Sequence, residues 1–341
     1  MSGRATIEAP SNIAFVKYWG AADLEKAIPL NASISMSLRE CVTRTSVETI
    51  ATGATDVVWM CTDDRWHRAQ GTFQRRIVEH LRRLRLWADV DVGFRVATRN
   101  SFPAAAGIAS SASGFAALTL AVLGALGREP AADELSNLAR LSGSGSAARS
   151  VFGGYVQWPD GGETDPWRAA PLATASHWDL RDVIVIVQTG PKAVSSLDGH
   201  AGAVGSPHFA RRQELIPARL ERVRDAIEAR DLNRLGPVIE EDAIELHLVA
   251  MSSQPPIFYW LPATLRVLDH VRTLRSDGTS AWATMDAGAN VHVICSADDE
   301  AEVAARLAAI DGVQAVIRDG VGPGPRRLPT SLLDAVDGLR S

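Results

Sequence analysis

The sequence predicts an α+β protein of two lobes with a cleft between them. Strand-like alternation and helix-like periodicity interleave in both halves of the chain. The stretch near 170–180 is polar and irregular, as a boundary is. The 341 residues also exceed what one small core holds. The expected lobes are residues 1–178 and 179–341.

The elements follow in chain order. Residues 12–19 and 34–50 place β-branched residues at alternating positions and read as strands. Residues 71–85 read as a helix rich in arginine. Residues 90–97 alternate apolar and polar side chains as a strand does, and a turn follows at 99–103. After Ser113 the chain is apolar on nearly every side through Leu126, the pattern of a buried helix. A second helix, about 131–141, is interrupted by Gly143-Ser144-Gly145-Ser146, and 151–158 reads as a strand. In the second half, 182–187 is a short buried strand. Helical patterns cover about 208–229 and 231–249, and Pro255-Pro256 stops the second. Another helix starts near Pro262. Residues 281–285 and 291–296 are strands around the turn Asp286-Ala287-Gly288-Ala289-Asn290. A helix at about 298–309 and a strand at 313–317 follow.

Composition narrows the function. Hydrophobic residues at 46% and charged residues at 22% describe a folded globular chain. A net charge of −5 supplies no general basic surface, so no nucleic-acid partner is expected. The arginines at 75, 76, 82, 83 and 85 are expected on a solvated helix face. The first ten residues hold no apolar h-region, so no secretory signal is expected. No stretch reaches the ~20 apolar residues of a membrane span. A cytoplasmic protein without a membrane partner is the expectation. Cys41, Cys61 and Cys295 are far apart, odd in number and without metal-ligand spacing, and are expected as reduced, buried thiols.

Phe102 to Gly114 is the most informative stretch. Its small residues let a backbone approach an anion, its serines supply hydroxyls, and the following helix offers free amides at its positive end. Pro103, Ala106, Gly107, Ala109, Ser110, Ser111 and Ser113 are the candidate phosphate contacts. Ser111 is also a candidate ligand for Mg²⁺. No Gly-Lys-Ser/Thr is present, so this is not a Walker A loop. The pattern alone equally allows a tightly packed turn before a buried helix.

The stretch resembles the Pro-x-x-x-Gly-Leu-x-Ser-Ser-Ala loop of the GHMP kinase superfamily. Asn12-Ile-Ala-Phe-Val-Lys-Tyr-Trp-Gly20 resembles the opening motif of the mevalonate diphosphate decarboxylases within it. The blocks 143–150, Val194-Ser-Ser-Leu-Asp-Gly199 and Met285-Asp-Ala-Gly-Ala-Asn290 come in that family's order, and 241–259 matches more loosely. The resemblance implies a GHMP-kinase-like fold, with ATP and substrate meeting in the cleft. It implies ATP-dependent decarboxylation of a 5-phosphorylated mevalonate in isoprenoid biosynthesis, and a homodimer.

The same resemblance implies the site. Asp286 orients or deprotonates the C3 hydroxyl, and Lys17 offsets charge beside it. Asn12 is a hydrogen-bond partner there. Arg149 grips the substrate carboxylate, with Ser144 and Ser146 donating to the same substrate. Ser195 and Ser196 contact substrate or phosphate; Tyr18 is a nucleotide or substrate contact or, like Trp19, a core aromatic. Without the family, Ser195 and Ser196 read as a helix cap and Asp286 as a turn former.

The chain also departs from the family. The opening motif usually continues Tyr-Trp-Gly-Lys, and Ala21 stands here in place of that lysine. One fewer cation suits one fewer phosphate, so 5-phosphomevalonate, giving isopentenyl phosphate, is the expected substrate, unless Lys26 or Lys192 supplies the charge. Diphosphomevalonate, giving isopentenyl diphosphate, is the alternative. A kinase that stops after phosphorylation and a non-catalytic nucleotide-binding protein are the rivals. Ala289 and Ala148 depart where Pro and Cys are usual. His200 stands where the family often has Met, and has no metal-ligand partner at a helpful spacing; nor does His247.

Overall fold

The computed structural model describes residues 3–103, 108–161, 167–190 and 193–338. Chain order is β1 (Arg4–Val16), β2 (Ala21–Asp23), β3 (Ile28–Pro29), β4 (Ser33–Ile50), β5 (Val57–Thr62), β6 (Arg65–Arg68), α1 (Gly71–Ala88), β7 (Gly93–Asn100), α2 (Ser110–Ala125), α3 (Ala132–Arg140), α4 (Ala147–Ser150), β8 (Tyr155–Trp158) and β9 (Ala170–Ala173). The second half adds β10 (Leu180–Ile186), α5 (Ser196–Ala203), α6 (Phe209–Ala229), α7 (Leu232–Met251), α8 (Pro262–Ser276), β11 (Ala281–Thr284), β12 (Val291–Ser296), α9 (Glu300–Ala308), β13 (Ala315–Gly320), β14 (Arg326–Arg327) and α10 (Leu333–Asp337).

The first sheet runs β14-β1-β4-β7-β5-β6, with β8 and β9 branching from β4. β4 is long enough, at 18 residues, to pair β8 with one end and β7 with the other. Its pairing with β1 slips between Pro10 and Asn12, where proline has no N–H to give a ladder. The second sheet is antiparallel, in the order β11-β12-β10-β13.

Strand periodicity sorts the second sheet's side chains onto two faces. Ile184, Ile186 and Ile294 join the core with Ile216, Leu220 and Val223 of α6 and Leu235, Val238 and Ile239 of α7. Val183, Val185, Val291 and Val293 face the opposite way, against Val267 and Val271 of α8 and Val303 of α9. The first of these cores also contains Ile13, Phe15, Ile34 and Met36 of the first sheet, so α6 and α7 are packed to both sheets. α2 is buried as its composition predicts, between the first sheet and α1 and α3.

Several expectations shift. β1 starts at Arg4 rather than 12 and ends before Lys17. α2 starts at Ser110, three residues before the apolar run. The hairpin β5–β6 and the strand β9 lie in stretches to which the sequence reading assigns no element. The tail beyond Val321, assigned by sequence to the second lobe, returns to the first: β14 pairs β1, and Leu333 and Val336 pack on Ala97. Cys61 is only half-buried, unlike Cys41 and Cys295. No helix among the described residues is long and apolar enough to cross a membrane.

Candidate active site

Lys17 follows the last residue of β1 and is 2% exposed. Its Nζ donates to the Ala14 carbonyl at 2.7 Å and to Asp286 Oδ1 at 2.8 Å. Its peptide is gripped from both sides. The Lys17 N–H donates to Asp242 Oδ2 at 2.8 Å, while its carbonyl accepts from Asn31 Nδ2 at 2.9 Å and Arg212 Nη2 at 3.1 Å. Arg212 of α6 and Asp242 of α7 are fully buried and ion-paired at 3.0 Å, with Arg219 and Glu245 completing the cluster. An unpaired charge at such depth would be prohibitive, so the pair holds together and fixes the lysine.

Asp286 sits in the β11–β12 turn, held on three sides. Gly288 N–H donates to the Asp286 carbonyl at 2.7 Å, and Thr264 Oγ1 to the Ala289 carbonyl at 2.7 Å. Asn290 Oδ1 accepts from the N–H groups of Val187 and Gln188 at 2.7 and 3.0 Å, tying the turn to the end of β10. The Asp286 side chain keeps 28% exposure. Burial works to raise its pKa, but the Lys17 ammonium, with help from His292 and Arg149, outweighs burial and holds it below the usual aspartate value. Asp286 is therefore a carboxylate at neutral pH, better suited to orienting a hydroxyl than to keeping its proton.

Arg149, on α4, is buried on the same cavity wall. Its Nε donates to Ser35 Oγ at 2.8 Å, its Nη1 to Ser33 Oγ at 2.5 Å and its Nη2 to Asn12 Oδ1 at 3.0 Å. A guanidinium has five N–H donors, so one remains on each Nη for a carboxylate. Burial lowers its pKa to about 10, against a counter-effect from Asp286, and it stays charged. Ser144 and Ser146 line the cavity beside it, on a turn whose Gly145 lies so close to Trp158 and Tyr18 that a Cβ would meet them at 2.6 and 2.7 Å. Asn12 is not on the cavity wall. Its Nδ2 donates to Ser150 Oγ at 2.7 Å and to the Ser146 carbonyl at 3.2 Å, so it holds Arg149 and its turn rather than meeting a ligand.

Two cavities meet at the start of α2. The smaller, about 480 Å³, contains Lys17, Tyr18, Ser144, Ser146, Arg149, Ser195, Ser196, His200 and Asp286. The larger, about 840 Å³, is walled by Met60, Thr98 and Phe115 among others, with Pro103 at its rim. Ser110 and Ser111 line both, and Ala109, in the left-handed region at φ 43°, lines the smaller. The free amides of the α2 first turn thus stand at the junction. Ser113 does not: it is buried, and its Oγ bonds Thr43 Oγ1 at 2.7 Å. Ala106 and Gly107 lie outside the described residues.

Sequence reasoning missed Arg76. It was placed on a solvated face, yet it lines both cavities and stacks over the Phe115 ring at 4.9 Å. Of its neighbours, Arg83 and Arg85 are partly buried in ion pairs, and Arg75 and Arg82 are exposed. The only signal was that Arg76 is next to Ile77 and one turn before His80 on the buried face of α1, which charge patterning does not report.

On the far wall, Ser195 caps α5 by accepting from Asp198 N–H at 3.2 Å, so its oxygen serves the helix as well as facing the cavity. Tyr18 packs edge-on to Trp158 at 5.2 Å, and burial raises its pKa to about 12. Leu197 adds an apolar wall, 48% exposed. Ala21 opens β2. Lys26 pairs with Asp23 at 3.9 Å and does not line the cavity. Lys192 lies outside the described residues.

Residues 9–168 match the diphosphomevalonate decarboxylase-like N-terminal domain, and residues 182–318 the mevalonate 5-diphosphate decarboxylase C-terminal domain. The chain is 32% identical to the diphosphomevalonate decarboxylase of Candida albicans, over 96% of this chain and 99% of that one. It is 30% identical to the human diphosphomevalonate decarboxylase, over 89% and 79% respectively. Among solved structures, the complex of MDDEF with MVAPP, AMPPCP and magnesium superposes with a TM-score of 0.88 at 34% identity, covering 97% of this chain and 100% of that one. The mevalonate diphosphate decarboxylase from Staphylococcus aureus superposes with a TM-score of 0.89 at 31% identity, covering 96% and 98%. With both halves matched and relatives aligned nearly end to end, the chain belongs to the mevalonate diphosphate decarboxylase family of the GHMP kinase superfamily.

Proposed function

We propose that this ATP-dependent carboxy-lyase of the mevalonate pathway acts on 5-phosphomevalonate and releases isopentenyl phosphate, ADP, phosphate and CO₂. The observation that carries the chemistry is the convergence of Lys17, Asp286 and Arg149 on one cavity that abuts the α2 N-terminus. The Asp286 carboxylate accepts a hydrogen bond from the C3 hydroxyl and aims its oxygen at the γ-phosphorus of ATP. Lys17 and Arg76 offset charge during transfer. As the C3 oxygen bonds the γ-phosphorus, the bond to ADP breaks and Asp286 takes the hydroxyl proton; the C3–O bond then breaks with phosphate leaving, and the electrons of the C1–C2 bond form the C2–C3 double bond as CO₂ departs. Arg149 holds the C1 carboxylate with its two remaining N–H groups. Its burial among hydroxyls rather than further cations orients that carboxylate without over-stabilising a charge that must disappear.

The larger cavity has room for a nucleotide, and Ser110 and Ser111 stand where its phosphates would reach the smaller one. Among the described residues no cluster of three or more acidic, His or Cys side chains could cage a metal. That fits Mg²⁺, which takes few protein ligands beside phosphate oxygens and water; Ser111 Oγ would be one. Bound there, Mg²⁺ supplies neutralisation of phosphoryl charge.

The monophosphate reading rests on charge. The cations among the residues described on the smaller cavity are Lys17, Arg76 and Arg149, and the wall near β2 presents Leu24 and Leu197 instead. The names of the relatives favour diphosphomevalonate as the second reading. The deciding experiment measures ADP and CO₂ release with mevalonate, 5-phosphomevalonate and 5-diphosphomevalonate. Equal ADP and CO₂, with the highest kcat/KM on the monophosphate, supports the proposal. ADP without CO₂ would make the protein a kinase, and preference for the diphosphate would overturn the substrate.

A further inference from the structure

His200 is a side chain of the smaller cavity for which the reaction above has no use. It projects from α5, one residue after Gly199, where a Cβ would meet Trp19 at 2.4 Å and Tyr259 Oη at 2.7 Å. That close packing fixes the helix against the Tyr18–Trp19 segment. The imidazole stacks on Tyr18 at 4.2 Å with a 29° interplanar angle, and lies tilted against Trp19 at 4.8 Å. The Gly20 N–H donates to His200 Nδ1 at 3.1 Å. An Nδ1 that accepts cannot also carry a proton, so the ring is the neutral tautomer with its hydrogen on Nε2. No described residue takes that hydrogen. Burial favours the same state and lowers the ring's pKa to about 3, with Asp286 the one charge acting in the other direction.

The position matters as much as the proton. Gly20 immediately precedes Ala21, and Leu197 is one turn before His200 on α5. A donor stands here, on a wall where neither neighbour carries a charge.

We propose that His200 is a specificity-determining residue that donates its Nε2–H to the substrate's 5-phosphate. A neutral donor adds one directed hydrogen bond and no charge. It rewards a single phosphate group at this distance and offers nothing to the extra charge of a diphosphate. The inference rests on the monophosphate reading for its specificity, but not for the phosphate contact itself.

Two variants test it. His200→Leu keeps the ring's approximate bulk and removes the donor; His200→Gln places an amide N–H near the position of Nε2. His200→Leu is expected to raise KM for 5-phosphomevalonate roughly ten- to a hundredfold, leave KM for ATP unchanged and leave kcat within about threefold. His200→Gln is expected to recover most of the loss, and the discrimination against the diphosphate should shrink in the leucine variant. Unchanged KM for both phosphorylated substrates in His200→Leu would overturn the contact. A wild-type preference for the diphosphate defeats the substrate reading. If KM for both substrates then rises equally in His200→Leu, the specificity role is defeated while the contact stands. Should His200→Leu fail to fold, ¹⁵N imidazole spectra of the wild type, assigned with His200→Gln, still decide. An Nε2–H tautomer that shows no titration between pH 5.5 and 8 and shifts on adding 5-phosphomevalonate supports the proposal. A ring that titrates near 6.5, or does not respond to the substrate, overturns it.

Discussion

Lys17 Nζ lies 2.8 Å from Asp286 Oδ1, an ion pair that closes 269 residues of chain and joins the end of the first sheet's β1 to a turn of the second sheet. The pair is one-sided in exposure, 2% against 28%, so the ammonium is walled in while the carboxylate reaches the cavity. The lysine has no freedom to leave, because its own peptide is held by Asp242 and Arg212. A cation fixed behind a carboxylate keeps that carboxylate ionised and aimed.

Asp286→Asn and Asp286→Ala are expected to lose turnover by several orders of magnitude while still binding ATP, since the larger cavity proposed for the nucleotide does not include this residue. More than about a tenth of the wild-type rate in either variant would remove Asp286 from the mechanism. The pH dependence has a definite sign. With its pKa held below 3.8, Asp286 stays ionised as pH falls until that lower value is passed. Carboxyl ¹³C shifts followed against pH should therefore put the Asp286 midpoint below the ordinary aspartate value.

Asp242→Ala should act twice. Removing a fully buried carboxylate leaves Arg212 and Arg219 sharing Glu245 as their remaining counter-charge and Lys17 N–H without an acceptor, a cost of about 3–5 kcal/mol in stability. Activity at a temperature where the variant is folded should fall mainly in kcat, because the lysine loses its anchor while the substrate's other contacts remain. Denaturant unfolding and steady-state kinetics on the same preparation separate the two effects.

The turn that carries Asp286 and the order of the main helices and strands were legible in the sequence because each is a local pattern: Asp286 before Ala-Gly-Ala-Asn, a small-residue loop before an apolar helix. What was not legible depends on packing. Arg212 and Asp242 sit in amphipathic stretches where charge normally marks solvent, and only the contact of α6 and α7 with both sheets buries them. Arg76 failed for the same reason. Ser113 failed for a geometric one: with the helix starting at Ser110, residue 113 turns inward to Thr43.

Ser111→Ala should raise KM for Mg-ATP more than KM for the mevalonate substrate. Its hydroxyl is on the first turn of α2, at the junction of the cavities. A change confined to the mevalonate substrate would mean that the loop serves the other ligand.

His80 gives the fold an acid-sensitive point away from the site. It is 1% exposed, bonds Thr119 Oγ1 at 2.8 Å through Nε2, and burial lowers its pKa from 6.5 to about 3. The unfolded chain binds a proton below 6.5 that the folded chain refuses until about 3. Stability contributed by the neutral ring is therefore lost as pH falls through that window, by up to about 1.4 kcal/mol per pH unit. Urea unfolding at pH 7 and 5.5 should show the loss, and His80→Leu should flatten it.

Ala21→Lys is expected to move specificity towards the diphosphate. A diphosphate carries more charge than a monophosphate and extends further from C3, towards the segment that begins β2. In this chain that segment offers Ala21, the ammonium of Lys26 is engaged with Asp23, and Leu197 is apolar. A new ammonium at 21 would find little competition for an anion. If β2 keeps its pairing with β3, the added charge-assisted contact is about 1.5–3 kcal/mol, or roughly ten- to a hundredfold in relative kcat/KM. The effect should appear in KM for the diphosphate and leave ATP use unchanged, since Ala21 does not line the larger cavity. It should also weaken as salt rises, because an exposed ammonium is screened over about 8–10 Å at 0.1–0.15 M. A variant whose substrate ratio stays within about twofold of wild type at low salt would show that position 21 does not read the substrate's terminal charge.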